Sequence, residues 1–470
     1  MSLSNFLYSR LLEHLQYEPT EGQMQLFQKL AVFISETSSQ KIFIVKGYAG
    51  TGKTTSVAAV VRLLEELKIN IVLLSPTGRA AKVLSNYTGK PAFTIHKKIY
   101  RQKSLNDGVG AFVLNRNEHK NTIFIVDEAS MIANRAEQSI FGSGSLLDDL
   151  ISFVTSGEHC KLVLIGDNAQ LPPIGFSQSP ALDICEMEKY GVAGDTQLQD
   201  VVRQAAKSGI LHNATLLRKN IEKSIPEIPR FSLKKFPDIE AITGGEVMEK
   251  LSDAYDRYGD RETIVVCRSN KRANRYNQGI RSKIQYREEQ LTQGDRLMVV
   301  KNCYQALESV DEINFIANGD IVDLLRIRKY EERYGLHFAE AVLRFPDYNN
   351  TEITTKIMLD TLLSEAPSLN NEQQRQLFLD VSEDYAHILN KRKRYASIRE
   401  DLYFNALQIK YAAAVTCHKA QGGQWKAVFI DYPFFGNVPI TIDDLRWLYT
   451  AFTRATEKLY LVNFDEKLLG

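Results

Sequence analysis

The chain has 470 residues, a net charge of +1, 44% hydrophobic residues and 24% charged residues. This composition is typical of a globular protein of about three or four domains, and no apolar run approaches the roughly 20 residues that cross a bilayer. Five dispersed cysteines and a start without a secretory signal argue against a disulfide frame or zinc site and favour a cytoplasmic protein. Because the net charge is close to zero, a groove that binds nucleic acid would need a local cluster of positive charge.

Residues 5–36 are predicted to form two amphipathic helices around a break at residues 18–23. Thr20 is a candidate N-cap, and Gln23 follows it at the capping-box position. Gln23 therefore has two interpretations, which the residues alone leave open. Its side chain either completes the capping box or reads the edge of an adenine with one donor and one acceptor.

A phosphate-binding loop is predicted between a buried strand at residues 41–45 and a helix that follows. Its GxxxxGKT pattern directs backbone N–H groups toward phosphate oxygens, and the helix N-terminus adds partial positive charge. Lys53 can reach the β- and γ-phosphates, and the Thr54 hydroxyl can ligate Mg²⁺. The loop therefore predicts a nucleoside triphosphate site formed by Gly47, Ala49, Gly50, Thr51, Gly52, Lys53, Thr54 and Thr55.

Polar turns follow the next predicted strand, at residues 70–75, and carry Thr77, Arg79, Phe93, Thr94 and His96. Residues 97–121 are polar and basic, with an Asp-Gly hairpin signal between short β-prone pieces. This pattern is equally typical of a small excursion from the sheet and of an ordinary surface loop.

An acidic pair, Asp127 and Glu128, follows a predicted strand at residues 122–126. Ligands of open α/β sheets bind at the carboxyl ends of the strands, so this pair is expected beside the phosphate loop. Asp127 suits the Mg²⁺ shell, and Glu128 suits polarising the attacking water. Gln170, after a further strand at 161–165, lies where it could sense the γ-phosphate. The alternation of strands and helices predicts a parallel sheet with right-handed crossovers.

A second α/β core is predicted to begin near residue 195 and to close at the C-terminus. Short β-like pieces in 295–350 indicate a small barrel inserted into it. Residues 351–406 are highly charged and are predicted to form a helical arm. The basic run 391–394 in that arm is either a solvated face or a nucleic-acid contact. Taken alone, His418 would more often be a cap or surface residue, and Trp425 a core residue.

Taken together, these segments resemble the ordered motifs of superfamily 1 DNA helicases of the 5′-to-3′ branch, which includes RecD, the phage helicase Dda and the yeast-type mitochondrial-DNA-maintenance helicases. The resemblance extends from Thr20 to Arg454. It implies an α/β fold with two RecA-like parallel-sheet cores. The expected domains are core 1A (1–96 and 122–194), pin 1B (97–121, with Phe112 at its tip), core 2A (195–294 and 407–470) and subdomain 2B (an SH3-like barrel at 295–350 and a helical arm at 351–406).

The same resemblance assigns roles to individual residues. Gln23 would read adenine, and Gly422 belongs to a segment that contacts both single-stranded DNA and the nucleotide cleft. Arg203 and Arg454 would reach the γ-phosphate from the second core, so that cleavage depends on closure. The catalytic set is Lys53, Glu128, Gln170, Arg203 and Arg454, with Thr54 and Asp127 at Mg²⁺. The expected DNA-binding residues are Thr77, Arg79, Phe93, Thr94, His96, Asn270, Thr416 and His418.

The expected activity is that of a monomeric, Mg²⁺- and ATP-dependent translocase on single-stranded DNA, moving 5′ to 3′ and unwinding at single-strand/duplex junctions. One alternative is a nucleotide-switched DNA-binding ATPase that does not unwind. Paired arginines and Glu128 argue against it, because a switch does not need fast cleavage. Another alternative is an RNA-directed helicase, since backbone contacts do not exclude ribose 2′-hydroxyls.

Overall fold

A computed structural model describes residues 2–15, 17–36, 38–102, 112–135, 142–200, 207–223, 225–303, 316–432 and 439–470. Among these residues, no helix is both long enough and apolar enough to span a membrane. Two parallel sheets and a closed barrel make up the described fold. The predicted fold class, two parallel-sheet cores with a barrel inserted into the second, is confirmed.

The first core and its hairpin contain, in chain order, α1 (Leu3–His14), α2 (Glu21–Ser35), β1 (Ile42–Gly47), α3 (Lys53–Glu66), β2 (Asn70–Ser75), α4 (Gly78–Thr88), β3 (Ala92–Thr94), α5 (Ile95–Ile99), β4 (Tyr100–Gln102), β5 (Phe112–Leu114), β6 (Thr122–Val126), α6 (Leu146–Ser156), β7 (Lys161–Gly166), α7 (Ile184–Met187) and β8 (Val192–Leu198). The described strands of the main sheet are parallel and run in the order β3-β2-β6-β7-β1-β8.

Both faces of this sheet are covered, because alternate side chains of a strand point to opposite sides. Phe43 and Val45 of β1 pack into the apolar cluster that α2 and α3 complete. Ile42 and Ile44 join the cluster on the other face, with α5 and α6. The carboxyl ends of β1, β6 and β7 therefore meet at one edge, where the phosphate loop, the acidic pair and Asp167 are brought together.

The predicted pin begins as a short antiparallel hairpin in which Tyr100 lies opposite Leu114. Residues 103–111 lie outside the described chain. Phe112 is in β5 and is half-buried against the first core, so its prediction as the tip is wrong. A large apolar side chain at this position gains more from packing than from exposure at a loop end.

The second core begins with α8 (Gly209–Ile221), β9 (Ile239–Ile242), α9 (Val247–Tyr258), β10 (Thr263–Cys267) and α10 (Asn270–Lys283). The chain then forms the barrel and arm, with β11 (Arg296–Val299), β12 (Ile321–Arg333), β13 (Leu336–Phe345), β14 (Thr351–Met358), α11 (Asn371–Asp384), α12 (Lys391–Glu400) and β15 (Leu407–Tyr411). It returns through β16 (Ala414–Thr416), α13 (Cys417–Ala420), β17 (Trp425–Asp431), α14 (Ile442–Phe452) and β18 (Ala455–Val462). The second sheet is parallel in the order β16-β10-β17-β18-β9.

Three predicted domain boundaries change. β8 pairs in parallel with β1, so the first core extends to residue 198 rather than 194. The helical arm does not begin at 351, since β14 belongs to the closed barrel; its threonines and isoleucines favour a strand in spite of the charged surroundings. Residues 407–411 form β15, which closes the barrel rather than opening the second core.

Candidate functional site

The phosphate loop connects β1 to α3 and depends on its glycines. Gly50 (φ 75°) and Gly52 (φ 80°) have left-handed backbones, which only glycine adopts without strain. A Cβ on Gly47 would lie 2.7 Å from Cγ of Lys53. The Lys53 ammonium donates to the carbonyls of Gly47 (2.6 Å) and Tyr48 (2.9 Å), so the lysine lies along the loop it is predicted to serve.

The acidic pair lies at the end of β6, beside this loop. Glu128 has a left-handed backbone (φ 55°, ψ 35°), and its N–H donates to Asp127 Oδ1 (2.9 Å). Burial and the charge of Glu128 raise the pKa of Asp127, and Lys53 opposes that rise. The Asp127 carboxylate and the half-buried Thr54 hydroxyl are oxygen donors of the kind that Mg²⁺ prefers.

Asp167 and Tyr449 join the first core to the second at this loop. The Tyr449 hydroxyl, on α14, donates to Asp167 Oδ2 (2.7 Å) and accepts from the N–H of Ala49 (2.8 Å). Asp167 also accepts from the N–H of Ala169 (3.0 Å), and its Oδ2 lies 3.8 Å from the Lys53 ammonium. Hydrogen bonds beside the phosphate loop therefore connect the first core to the second.

Helix α8 covers the outer side of the loop. The Arg218 guanidinium lies over the ring of Tyr48, 4.3 Å from its centroid. The Tyr48 hydroxyl donates to Glu222 (2.7 Å) and accepts from Gln197 Nε2 (2.8 Å). Leu211 lies 3.1 Å from where a Cβ on Gly50 would be. The nucleotide loop thus forms one wall of a cleft whose other wall belongs to the second core.

A cavity of about 260 Å³ lies between the two cores and the barrel, away from the phosphate loop. Five of the predicted DNA-binding residues line it: Thr77, Arg79, Thr94, His96 and His418. The barrel and α13 add donors at Arg296, Asn302, Asn318 and Lys419. Phe93, Asn270 and Thr416 do not line it; Phe93 is exposed, and Asn270 donates to the carbonyl of Glu365.

The cations of this cavity are partly desolvated. Burial lowers the pKa of Arg79 to about 10, with the charge of Arg296 adding to the effect. Burial, then the charge of Lys410, lowers the pKa of Lys419 to about 8, and burial lowers that of His96 to about 4. A phosphate would stabilise the charged forms of these side chains and raise their pKa values, so the electrostatics of this cavity favour an anionic ligand.

Comparisons with known proteins found similar helicases. A solved structure of the Pif1 helicase from Bacteroides with ADP-AlF3 and single-stranded DNA is 13% identical and covers 97% of this chain and 95% of that one, with a TM-score of 0.46. The ATP-dependent RecD2 DNA helicase of Deinococcus radiodurans is 30% identical over 197 residues. That match covers 42% of this chain and 24% of RecD2, so the chain spans about a quarter of that relative's length.

The AAA domain family matches residues 20–227, and the UvrD-like helicase C-terminal domain family matches residues 411–462. The ATP-dependent DNA helicase Dda of Enterobacteria phage T4 is 25% identical over 479 residues, which cover 94% of this chain and 99% of Dda. In both family matches and in these two relatives, the chain is similar to superfamily 1 helicases of the RecD/Dda type.

Gln23 takes the structural role that its sequence also allowed. Its Oε1 accepts from the N–H of Thr20 (3.1 Å), and Thr20 Oγ1 accepts from the N–H of Gln23 (3.3 Å), which completes a capping box. Nε2 donates to Ser56 Oγ (3.2 Å), and the side chain is buried. An adenine would have to compete for these contacts, so the adenine-reading role stays a prediction.

Two arginines were predicted to reach the γ-phosphate from the second core. Arg203 lies outside the described residues. Arg454 is buried; its Nε donates to the carbonyl of Thr450 (3.0 Å) and its Nη1 to that of Gly423 (3.1 Å), both in its own core. Within the described residues, no hydrogen bond of its guanidinium reaches the phosphate loop. The arginine that does contact the loop is Arg218, which was not predicted.

Gln170 is buried, and its Oε1 has no hydrogen-bond partner among the described residues. The next residue, Leu171, is tied to the second core: its N–H donates to Thr450 Oγ1 (2.9 Å), and its carbonyl accepts from Gln421 Nε2 (2.7 Å). Gln170 therefore lies at the meeting of the two cores with a free acceptor, and its role as a γ-phosphate sensor stays a prediction.

Gly422 was predicted in the nucleotide site, and this role stays a prediction. With φ 72°, its backbone approaches α4; a Cβ there would lie 2.9 Å from Cβ of Ala80 and 3.2 Å from Thr77 Oγ1. Gly422 therefore packs on the cavity side of the first core. The motif's spacing identified a segment that passes between two sites, but spacing does not specify which site each residue faces.

The prediction also missed Tyr449, Asp167 and Trp425. Each lies within one or a few residues of a predicted position, so proximity to a motif was the available signal. Trp425 is buried, and the Arg79 guanidinium lies 3.9 Å from its ring centroid, across the core boundary. Arg79 Nη2 also donates to the carbonyl of Gln424 (3.3 Å). A predicted DNA contact therefore also connects the two cores.

Proposed function

We propose that the protein is an ATP-dependent DNA helicase that moves along single-stranded DNA in the 5′-to-3′ direction and unwinds duplexes with Mg-ATP. One observation carries this proposal. A single boundary between two cores holds both the phosphate loop and the strand-sized, cation-lined cavity. A change in how the cores meet must alter both sites together.

Hydrolysis would take place on the first core, and its completion would depend on the second. Lys53 would neutralise the β- and γ-phosphates, and Glu128 would orient the attacking water. Mg²⁺, which supplies neutralisation of the developing phosphate charge, would be held by Thr54 and Asp127. Arg203 and Arg454 would complete the site only when the cores close, and for Arg454 this means leaving its present carbonyl partners.

The cavity would convert closure into movement. Its wall is divided between the cores: Thr77 and Arg79 belong to the first, and His418 and Lys419 to the second. If each pair holds the phosphate backbone, closing and reopening by a hinge motion displaces one grip relative to the other. Both cores lie in one chain, so a monomer contains the complete cycle.

The test is ATP hydrolysis measured without nucleic acid, with single-stranded DNA and with RNA of the same sequence. We expect hydrolysis that DNA stimulates, that needs Mg²⁺ and that is lost in Lys53→Ala. Full-rate hydrolysis without nucleic acid would contradict the proposal. ATP-dependent DNA binding with slow turnover and no strand separation would identify a nucleotide switch, and stronger stimulation by RNA would identify an RNA-directed helicase.

A further inference from the structure

The Tyr449 hydroxyl occupies a position that no predicted role accounts for. It is 1% exposed, yet it bonds to the phosphate loop through Ala49 and to the end of β7 through Asp167. Burial and the negative charge of Asp167 hold the pKa of Tyr449 well above its ordinary value, so the phenol stays a neutral group that donates once and accepts once. Both of those bonds cross from the second core to the first.

Each end of this hydrogen-bond chain lies beside the phosphate loop. The Ala49 N–H belongs to the loop whose backbone donors cradle phosphates. Asp167 lies 3.8 Å from the Lys53 ammonium, which in turn bonds to the carbonyls of Gly47 and Tyr48. A triphosphate that draws Lys53 toward itself would remove a cation from Asp167 and would shift the loop that carries Ala49.

Helix α14 carries the signal onward. Tyr449 lies near its C-terminal end, and Arg454 follows five residues later, bonded back to Thr450 of the same helix. Helix α14 ends at Phe452, and Arg454 is tied back to it by its N–H to the carbonyl of Ala451 and by Nε to that of Thr450, so a shift of the helix end would displace Arg454 with it. The neighbouring Gly423 carbonyl, which holds Arg454 Nη1, belongs to the segment that lines the cavity.

We propose that Tyr449 is a positioning residue that couples occupancy of the phosphate loop to the grip of the second core on the strand. This inference rests on the proposed helicase function. The proposed role of Tyr449 is more than holding the two cores together. The hydrogen bond between Leu171 and Thr450 also joins the cores, but it does not involve the phosphate loop. Docking alone predicts a loss of stability, whereas coupling predicts that nucleotide and strand stop influencing each other.

Tyr449→Phe keeps the buried ring and removes only the hydroxyl. The readout is the ratio of the Kd for a labelled single-stranded oligonucleotide measured without nucleotide to that measured with Mg²⁺ and a non-hydrolysable ATP analogue. Coupled sites change each other's affinity by roughly 5- to 150-fold, and the effect is reciprocal. We expect such a ratio for the unaltered protein and a ratio within about twofold of one for Tyr449→Phe.

A matched control removes the same chemical group elsewhere. Tyr403 donates to Glu331 (2.9 Å) at the junction of barrel and arm, so Tyr403→Phe also loses a phenol–carboxylate bond but should keep the full ratio. Asp167→Asn weakens the other end of the chain and should also lower the ratio, which keeps the proposal testable if Tyr449→Phe does not fold.

Three results would contradict the coupling role of Tyr449. A Tyr449→Phe or Asp167→Asn protein that keeps the full ratio overturns the coupling role, as does an unaltered protein whose ratio is one. Equal losses in Tyr449→Phe and Tyr403→Phe also overturn it, because they would reflect stability alone. If the unaltered protein shows no DNA-stimulated hydrolysis, the proposed helicase function itself fails, which this design separates from failure of the inference.

Discussion

Glu128 combines strain and chemistry in one residue. Its backbone is left-handed (φ 55°), a conformation that costs a non-glycine residue roughly 1–2 kcal/mol. Strained residues of this kind cluster at active sites, where the surrounding structure holds them in place. Here β6 before it and the 3-10 turn Ala129–Met131 after it fix the position of the carboxylate beside the phosphate loop.

We predict that Glu128→Gly is more stable than Glu128→Ala by about 1 kcal/mol, because glycine adopts the left-handed conformation without strain. The greater conformational entropy of glycine in the unfolded state offsets part of this stabilisation. Both variants lose the carboxylate, so the difference in their free energies of unfolding reports the backbone strain. Chemical denaturation of the two proteins under the same conditions measures this difference. Equal midpoints would show that the backbone relaxes without cost when the side chain is removed.

The Glu128 side chain is tested by Glu128→Gln, which keeps size and backbone. We expect ATP to bind normally while single-turnover hydrolysis slows by roughly 10²–10⁴-fold, the usual contribution of a positioned general base. Binding is followed with a fluorescent ATP analogue and hydrolysis by phosphate release. Retained turnover would remove Glu128 from the base role.

At the scale of residues, the sequence predicted chemistry that is local and missed contacts that depend on how distant segments meet. Gly47 to Thr55 needs only the strand before it and the helix after it, and both formed as expected. Tyr449 meets Ala49 across 400 positions of the chain. No local pattern specifies such a pair, because it depends on the relative placement of two cores.

At the scale of elements, the barrel is joined to the first core at the start of α4. Asp320, just before β12, is buried against Gly78; a Cβ there would lie 2.7 Å from Asp320 Oδ1. The other oxygen accepts from the N–H of Ala317 (2.7 Å) and the hydroxyl of Tyr348 (2.8 Å). Beside it, Lys82 of α4 pairs with Asp347 of the barrel (2.8 Å).

Stability should depend on pH through this junction. Burial, with a contribution from the Asp347 charge, raises the pKa of Asp320 to about 7 from its ordinary 3.8. Between about pH 4 and 7 the folded state therefore holds a proton that the unfolded state has lost, so stability falls as pH rises through this window. Above pH 7 the Asp320 carboxyl is ionised in both the folded and the unfolded state, so stability no longer changes with its titration.

We predict that the stability of the unaltered protein relative to Asp320→Asn declines by up to about 1.4 kcal/mol per pH unit between pH 5 and 7, because the variant has no carboxyl to titrate. Denaturant midpoints of both proteins at several pH values between 5 and 8 provide the measurement. A difference that stays constant with pH would show that Asp320 titrates normally.

The pin is the second element that can be tested. We expect replacement of residues 103–111 by a short turn to spare translocation and weaken unwinding, because β4 and β5 remain to hold the base. Removal of 100–118 should instead unfold the region. It deletes Tyr100, which donates to buried Asp149 (2.6 Å), and Asn117, which donates to the carbonyl of Phe153 (2.9 Å). Translocation and unwinding assays on the shorter variant decide, and unchanged unwinding would contradict the pin assignment.

In the inserted subdomain, the sequence predicted the helices but not the strands that close the barrel. Its charge density led to a helical arm from 351, yet β14 forms there because it can complete a closed barrel with β13 and β15. Barrel closure joins residues 296–299 to 407–411, more than a hundred positions apart. Such a pairing is a property of the assembled sheet, whereas α11 and α12, with local caps at Asn370 and Asn390, were predictable.

At the scale of the whole molecule, the direction of travel is the property furthest from residue chemistry. The phosphate loop, the cations of the cavity and the closing motion would serve either polarity equally well. Polarity depends on which core releases the strand when the cleft closes and which releases it when the cleft opens. That order is a global feature of the two cores with their shared boundary, and for this chain it rests on resemblance to the RecD/Dda-type helicases.

We predict that the protein unwinds a duplex with a 5′ single-stranded tail and leaves the same duplex with a 3′ tail intact. A core that always leads in the closed state can advance only one way along a directional strand, so the two substrates should differ sharply. Strand separation of fluorescently labelled duplexes, with a blunt duplex and the Lys53→Ala protein as controls, measures the difference. Preferential unwinding from the 3′ tail would reverse the assigned order of grip and release while leaving the ATP-driven motor in place.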